Sequence, residues 1–313
     1  MPALITHYLA AVRAADGLKA RGIPFNRAVF LWGAQGPDFF YYHKPLNGQK
    51  SLKALGGILH KTEPEKLFLA LRRYTEQCSL RDLSFVYSYC YGFLCHLALD
   101  CGAHPFVYFY QDVLAERLAE KPRYMHHKIE HNLDVIMLKG LEERSVTGFR
   151  IREALPFCPK GLKAAAKAMA FAVNEVCPDT QVTWQEIYAA LRNHKKYENL
   201  LLSRHGRRRA IANWVEQKNQ LGVSLSCFVR PAEPERDFDY VNSAGRRWQN
   251  NGLAGGRPSS QNFLQLFDAA VEKSIYLAER FKDCADHRQP LYFLQEYRFD
   301  NGNTKLEVRQ WNE

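Results

Sequence analysis

A chain of 313 residues that is 46% hydrophobic and 13% aromatic can bury a large core, which excludes overall disorder and predicts one large globular domain or two smaller ones. Its formal charge of +10 favours acidic partners such as phosphate esters, nucleic acid or anionic lipid, and is equally compatible with a solvated basic face. Eight cysteines without one CxxC pair argue against a thiolate zinc cluster, so any metal has to use histidine and carboxylate.

The chain opens on MPALITHYLAAVRAADGLKARG, which has no basic start, continuous apolar core or small-residue cleavage site. No run of about eighteen apolar residues follows, so no transmembrane helix is predicted and a cytoplasmic location is the expectation. GAQGPDFFYY then puts Asp38 after a Gly-Pro turn, and GGILH puts His60 after two glycines. Both positions are loops or helix edges, where a side chain can turn inward. Apolar residues at three and four spacing predict helices over 64–77, 107–120, 161–176 and 261–282. Pro64 opens the first of these, and SSQN at 259–262 offers caps for the last. A mostly α protein follows. Residues 223–260 are rich in Pro, Gly and polar residues and predict a long irregular connection over the surface. In the tail, alternation around Asp300, Asn301 and Gly302 predicts a small hairpin. The expected organisation is one domain over 1–285, with the chemistry inside 1–138, and an extension over 286–313.

Eight of the eleven histidines lie within the first 131 residues. In YGFLCHLALDCGAHPF, residues 91–106, an apolar helical stretch is interrupted by His96, Asp100 and His104, each four after the last. Such residues stack on one helix face with a drift of roughly 40° per step. MHHKIEHNLDVIML, 125–138, repeats the device with His126 and Glu130, while Ile129, Leu133, Ile136 and Met137 form an apolar side. Nitrogen and oxygen donors at this spacing suit zinc at about 2.0–2.2 Å. Bridging carboxylates can hold two metals about 3.5–4 Å apart, the arrangement that clamps a phosphoryl group. His127 and His131 form an alternative pair, read as supporting or exposed groups, with Asp134 as a partner for a ligand histidine. His43, His194, His205 and His287 read as surface residues. Phe39, Phe40, Tyr41, Tyr42, Tyr91 and Phe93 are core residues or a pocket lining for a base or a quaternary ammonium group.

HxxxD, a further His and HxxxE, preceded by His7 near the amino terminus, a PD segment and an isolated LH, resemble the zinc-dependent phospholipase C family, whose fold is shared with P1/S1-type nucleases. The resemblance is strong over residues 3–138. Beyond, DYVNSAGRRW followed by SSQNFLQLFDAA is similar to the carboxy-terminal part of bacterial members. It implies an all-α, multi-helical phospholipase C/P1 nuclease-like fold holding two or three zinc ions. Asp38, His60, His96 and Asp100 would hold one ion, and His104, His126 and Glu130 a second. Asp100 would bridge to a third, shared with His7 and completed by an amino-terminal amine, here that of Pro2 once Met1 is trimmed. The implied activity is phosphodiester hydrolysis, with a metal-bound hydroxide attacking phosphorus and Asp38 as general base. A phospholipid headgroup or a nucleotide is the implied substrate, and no stable nucleic-acid partner is expected. The alternatives are a P1-type nuclease or nucleotidase on the same scaffold and a metal-binding protein without turnover.

Overall fold

The computed structural model describes residues 4–43, 51–219, 224–249 and 258–299. Eleven α-helices and no strand occur among them: α1 (Leu4–Ala20), α2 (Arg27–Gly33), α3 (Lys53–Lys61), α4 (Pro64–Gln77), α5 (Leu80–Leu118), α6 (Pro122–Glu142), α7 (Ile151–Ala154), α8 (Pro159–Val176), α9 (Trp184–Leu201), α10 (Arg207–Asn219) and α11 (Phe263–Asp286). The all-α expectation is met. Pro64, Pro122 and Pro159 each start a helix, where the missing N–H costs nothing. Asn262 caps α11 reciprocally with Gln265, both bonds 2.9 Å long.

The axis of the fold is α5, 39 residues long. The helical stretches read from 91–106 and 107–120 run together in it, straight through Pro105, because packing on several sides outweighs the one ladder bond that proline removes. Helices α2, α6, α8 and α11 pack around α5, and α1 lies against α5, α6 and α11. Where α2 crosses α5 the backbones touch: a Cβ on Gly92 would collide with the Phe30 carbonyl, and one on Gly33 with that of Tyr89. This close approach brings the turn after α2 onto the middle of α5. There Gly36 has φ +51°, and a Cβ on it would collide with the His96 ring. The 3₁₀ turn Asp38–Tyr42 follows directly.

The stretch 224–249 is irregular as expected but is not confined to the surface, since Arg230, Tyr240, Asn242 and Trp248 are buried in it. Leu291, Leu294 and Phe299 join the same core as α5. Over the described part of the proposed hairpin's first arm the chain makes a 3₁₀ turn, Tyr292–Leu294, in place of a strand. Its turn and second arm lie outside the described residues. Among the described residues no helix is long and apolar enough to cross a membrane, and all eight cysteines are free thiols.

Candidate metal centre

Five elements deliver the eight candidate ligands. His7 comes from α1, Asp38 from the 3₁₀ turn, His60 from α3, His96, Asp100 and His104 from α5, and His126 and Glu130 from α6. All are buried except His126, which is 12% exposed. Three groups have donor atoms within 4.8 Å of one another: His7, His96 and Asp100; Asp38, His60 and His96; His104, His126 and Glu130. Asp100 is the hub. Its Oδ2 is 3.0 Å from His96 Nε2 and 3.6 Å from His60 Nε2, and its Oδ1 is 3.4 Å from His7 Nε2 and 3.9 Å from His104 Nε2. His60 Nε2 lies 3.2 Å from Asp38 Oδ1, and His126 Nε2 2.9 Å from Glu130 Oε1.

These atoms face one another without aligned hydrogen bonds. His7 Nε2, Asp38 Oδ1, His60 Nε2, both ring nitrogens of His96, both oxygens of Asp100 and His104 Nε2 are buried with no hydrogen-bond partner. Burying so many polar atoms unsatisfied is costly, about 1–3 kcal/mol each. Cations shared among the facing Nε2 and carboxylate atoms would remove the cost at those atoms, and the all-nitrogen-and-oxygen set suits zinc.

The outer faces of the imidazoles are better tied. His60 Nδ1 donates to the Gly56 carbonyl (2.6 Å), His104 Nδ1 to that of Phe299 (2.6 Å) and His126 Nδ1 to Gln111 Oε1 (2.9 Å). Each bond fixes the tautomer that leaves an Nε2 lone pair facing the cluster. Burial lowers the pKa of His96, takes that of His104 to about 3 and holds that of His126 well below the usual value, so all three are neutral donors at pH 7. Burial opposes ionisation of Asp100 and Asp38, but the imidazoles around them, His96 foremost, keep both carboxyls below the usual range. Burial would also lower His60, but Asp100 and Asp38 raise it to about 10, so one proton occupies the cluster where a divalent cation would replace it.

The chain matches the family model described as zinc dependent phospholipase C over residues 3–184, more than half its length. It belongs to that family. No curated protein and no solved structure matches it. All eight candidate ligands fall inside the span matched to the zinc-dependent phospholipase C family. The Pro2 amine falls outside the described residues.

Beside the cluster opens a cleft of about 70 Å³ whose floor includes Asp38 and Glu130, and whose walls include Gln35, Tyr42, His194, Glu198, Phe228 and Arg230. The last four lie beyond the matched span. His194, expected at the surface, is buried, stacked on Tyr42 at 4.6 Å, and its Nδ1 has no partner. Gln35 Nε2 is a second buried donor without a partner. His43 is also buried, its Nδ1 accepting from the Leu52 amide at 3.0 Å. His131 Nδ1 donates to the Cys227 carbonyl (2.9 Å) and His127 packs on Phe228, so this pair supports the cleft wall.

Asp134 holds no ligand histidine. It takes the amides of Ile5 (3.1 Å) and Thr6 (2.7 Å) and the Thr6 hydroxyl (2.7 Å), capping α1 and so fixing the first turn, in which His7 is the next residue. Its other partner is Arg230, whose Nε donates at 2.6 Å, while Arg230 Nη1 donates to Glu198 at 2.6 Å and Glu198 accepts from Tyr42. Of the aromatics, Phe39, Phe40, Tyr91 and Phe93 are core, and Tyr42 lines the cleft.

Proposed function

We propose that this chain is a zinc-dependent phosphoric diester hydrolase of the phospholipase C type, with His7, Asp38, His60, His96, Asp100, His104, His126 and Glu130 holding two or three zinc ions. One observation carries the reading: buried, partnerless nitrogen and oxygen atoms from four elements converge around Asp100, with His126 and Glu130 of a fifth beside them, next to a cleft lined by Asp38 and Glu130. Zinc, when bound there, supplies positive charge that polarises phosphoryl oxygens and acidifies water at neutral pH. The chain's own groups do the rest. Asp38 is kept ionised and lines the cleft, so its carboxylate can orient a water and accept its proton. Gln35 Nε2 and His194 Nδ1, partnerless on the walls, can meet oxygens of a bound diester.

The test is elemental analysis together with hydrolysis of bis-p-nitrophenyl phosphate by the wild type and Asp38→Asn. We expect at least two zinc ions per chain and turnover that Asp38→Asn lowers by about 10²-fold or more. Zinc-loaded protein that does not cleave the diester, or cleaves it independently of Asp38, overturns the reading in favour of a metal-binding protein without turnover. Cleavage of phosphatidylcholine against single-stranded DNA then chooses the substrate class.

A further inference from the structure

Helix α10 has no fully buried residue. On its inner side it is tied by polar bonds: Arg209 donates to the Val229 carbonyl (2.6 Å) and to Glu235, and Glu216 accepts from the amide and hydroxyl of Ser226. Arg208 folds back onto the carbonyls of Asn199, Leu200 and Leu202, closing the end of α9. Its outer side carries Arg207, Ile211, Trp214 and Lys218, spaced four, three and four, which is one stripe along a helix. Ile211 is 61% and Trp214 57% exposed, and Lys218 Nζ lies 4.8 Å from the Trp214 ring. Leu200, whose carbonyl Arg208 holds, is 56% exposed. The only carboxylate on the helix is Glu216, turned inward. Two neighbouring hollows carry Arg150, Arg152, Lys195, Lys196 and Arg204, and no acid lines either.

We propose that the outer stripe of α10 docks the enzyme on an anionic phospholipid bilayer. Phosphates alone would be met by arginine and lysine. Two large apolar side chains set among the cations need an apolar phase beside the charged one, and the lipid interface provides both. The stripe is joined to the cleft, because α10 packs on the turn Ser226–Phe228 and Phe228 lines the cleft. Docking α10 therefore leaves the turn that carries Phe228 one helix behind the lipid surface. The inference rests on the phospholipase reading only in choosing lipid over other polyanions.

The test is co-sedimentation of the full zinc-loaded chain with sucrose-loaded vesicles of phosphatidylcholine, with and without phosphatidylserine. We expect binding that needs phosphatidylserine and weakens with salt. Ile211→Ala with Trp214→Ala should lower it about ten-fold or more, and Arg207→Glu with Lys218→Glu by about five-fold or more per residue. All variants should keep the wild-type melting temperature and rate on soluble bis-p-nitrophenyl phosphate. Absence of wild-type binding, or variants that bind like wild type, overturns the proposal. So does single-stranded DNA binding, or a dimer, lost in these variants while vesicle binding is unaffected. A wild type that does not cleave the soluble diester defeats the hydrolase reading alone, since vesicle binding is measured without turnover.

Discussion

Two buried polar clusters border the same cleft and are built on opposite terms. Around Arg230, both oxygens of Asp134 and both of Glu198 have donors, and the ends of α1 and the Asp38–Tyr42 turn are tied into the set. Around Asp100, neither carboxylate oxygen has one, and four imidazoles point their Nε2 at it or past it. A satisfied buried network holds a fold together; an unsatisfied one stores a demand for a ligand. Substitutions in the two clusters should therefore fail in opposite ways.

The largest effect is expected at Asp100. Asp100→Asn keeps the shape but removes the charge that four histidines share, so zinc affinity should fall by more than the roughly 10–100-fold that loss of an outer hydrogen-bonding partner costs. Elemental analysis should find at least one ion fewer per chain, with the melting temperature of the metal-free protein unchanged or raised. A metal-free melting point that drops, with zinc retained, would place Asp100 among structural acids and erase the contrast.

Arg230→Met should do the reverse. It strands Asp134 and Glu198 in the interior, a loss of about 3–5 kcal/mol when one partner of a buried pair is removed. The metal-free melting temperature should fall steeply, and protein that remains folded should still load zinc. Adding Glu198→Gln should recover part of the loss, because one stranded charge disappears; no recovery would show that Arg230 acts through packing alone.

The contrast also explains what the sequence made legible. Ligands at four-residue spacing on α5 and α6 are readable because a helix converts spacing into a shared face, and the apolar residues around them announce burial. His194 was open to the same logic: Ile187, Ala190, Leu191, His194 and Glu198 form one buried stripe of α9, but its neighbours Lys195 and Lys196 suggested solvent. Arg230 gave no such signal. It sits in an irregular segment with no periodicity, and only the fold reveals that it faces two acids far away in the chain. The carbonyls of Gly56 and Phe299 that orient His60 and His104 have no signature at all, since every residue carries one.

Titration of the metal-free protein sharpens the picture of the Asp100 cluster. Unfolded histidine takes up its proton near pH 6.5, whereas folded His104 does so only at about 3. Below pH 6.5 the unfolded chain thus binds the extra proton, and this one group should lower stability by up to about 1.4 kcal/mol per unit, with His96 and His126 acting in the same direction. His60 acts on the other side: held at about 10, it favours the fold fully below pH 6.5 and loses that contribution as pH rises through 10. Melts in a chelator should peak near pH 6.5. Saturating zinc should remove the alkaline decline, because the ion takes the place of the His60 proton. A metal-free profile that is flat from pH 6.5 to 10 would contradict the two-carboxylate environment of His60.

The smallest effect expected is at Gln111, on α5 two turns beyond His104. Its Oε1 receives the His126 Nδ1–H at 2.9 Å, and this bond leaves the opposite nitrogen facing Glu130. Gln111→Leu leaves the N–H without a partner and the ring free to turn, so zinc held by His104, His126 and Glu130 should bind about ten-fold more weakly, while zinc at Asp100 is untouched. Gln111→Glu puts a carboxylate on the same N–H, makes the imidazole more basic and should restore or tighten binding. Titration against a competing chelator separates a weaker step from an unchanged one. If both variants weaken the same step equally, His126 is positioned by packing against Tyr108 and not by the amide, and the division between an oriented outer shell and an unsatisfied centre fails at this ligand.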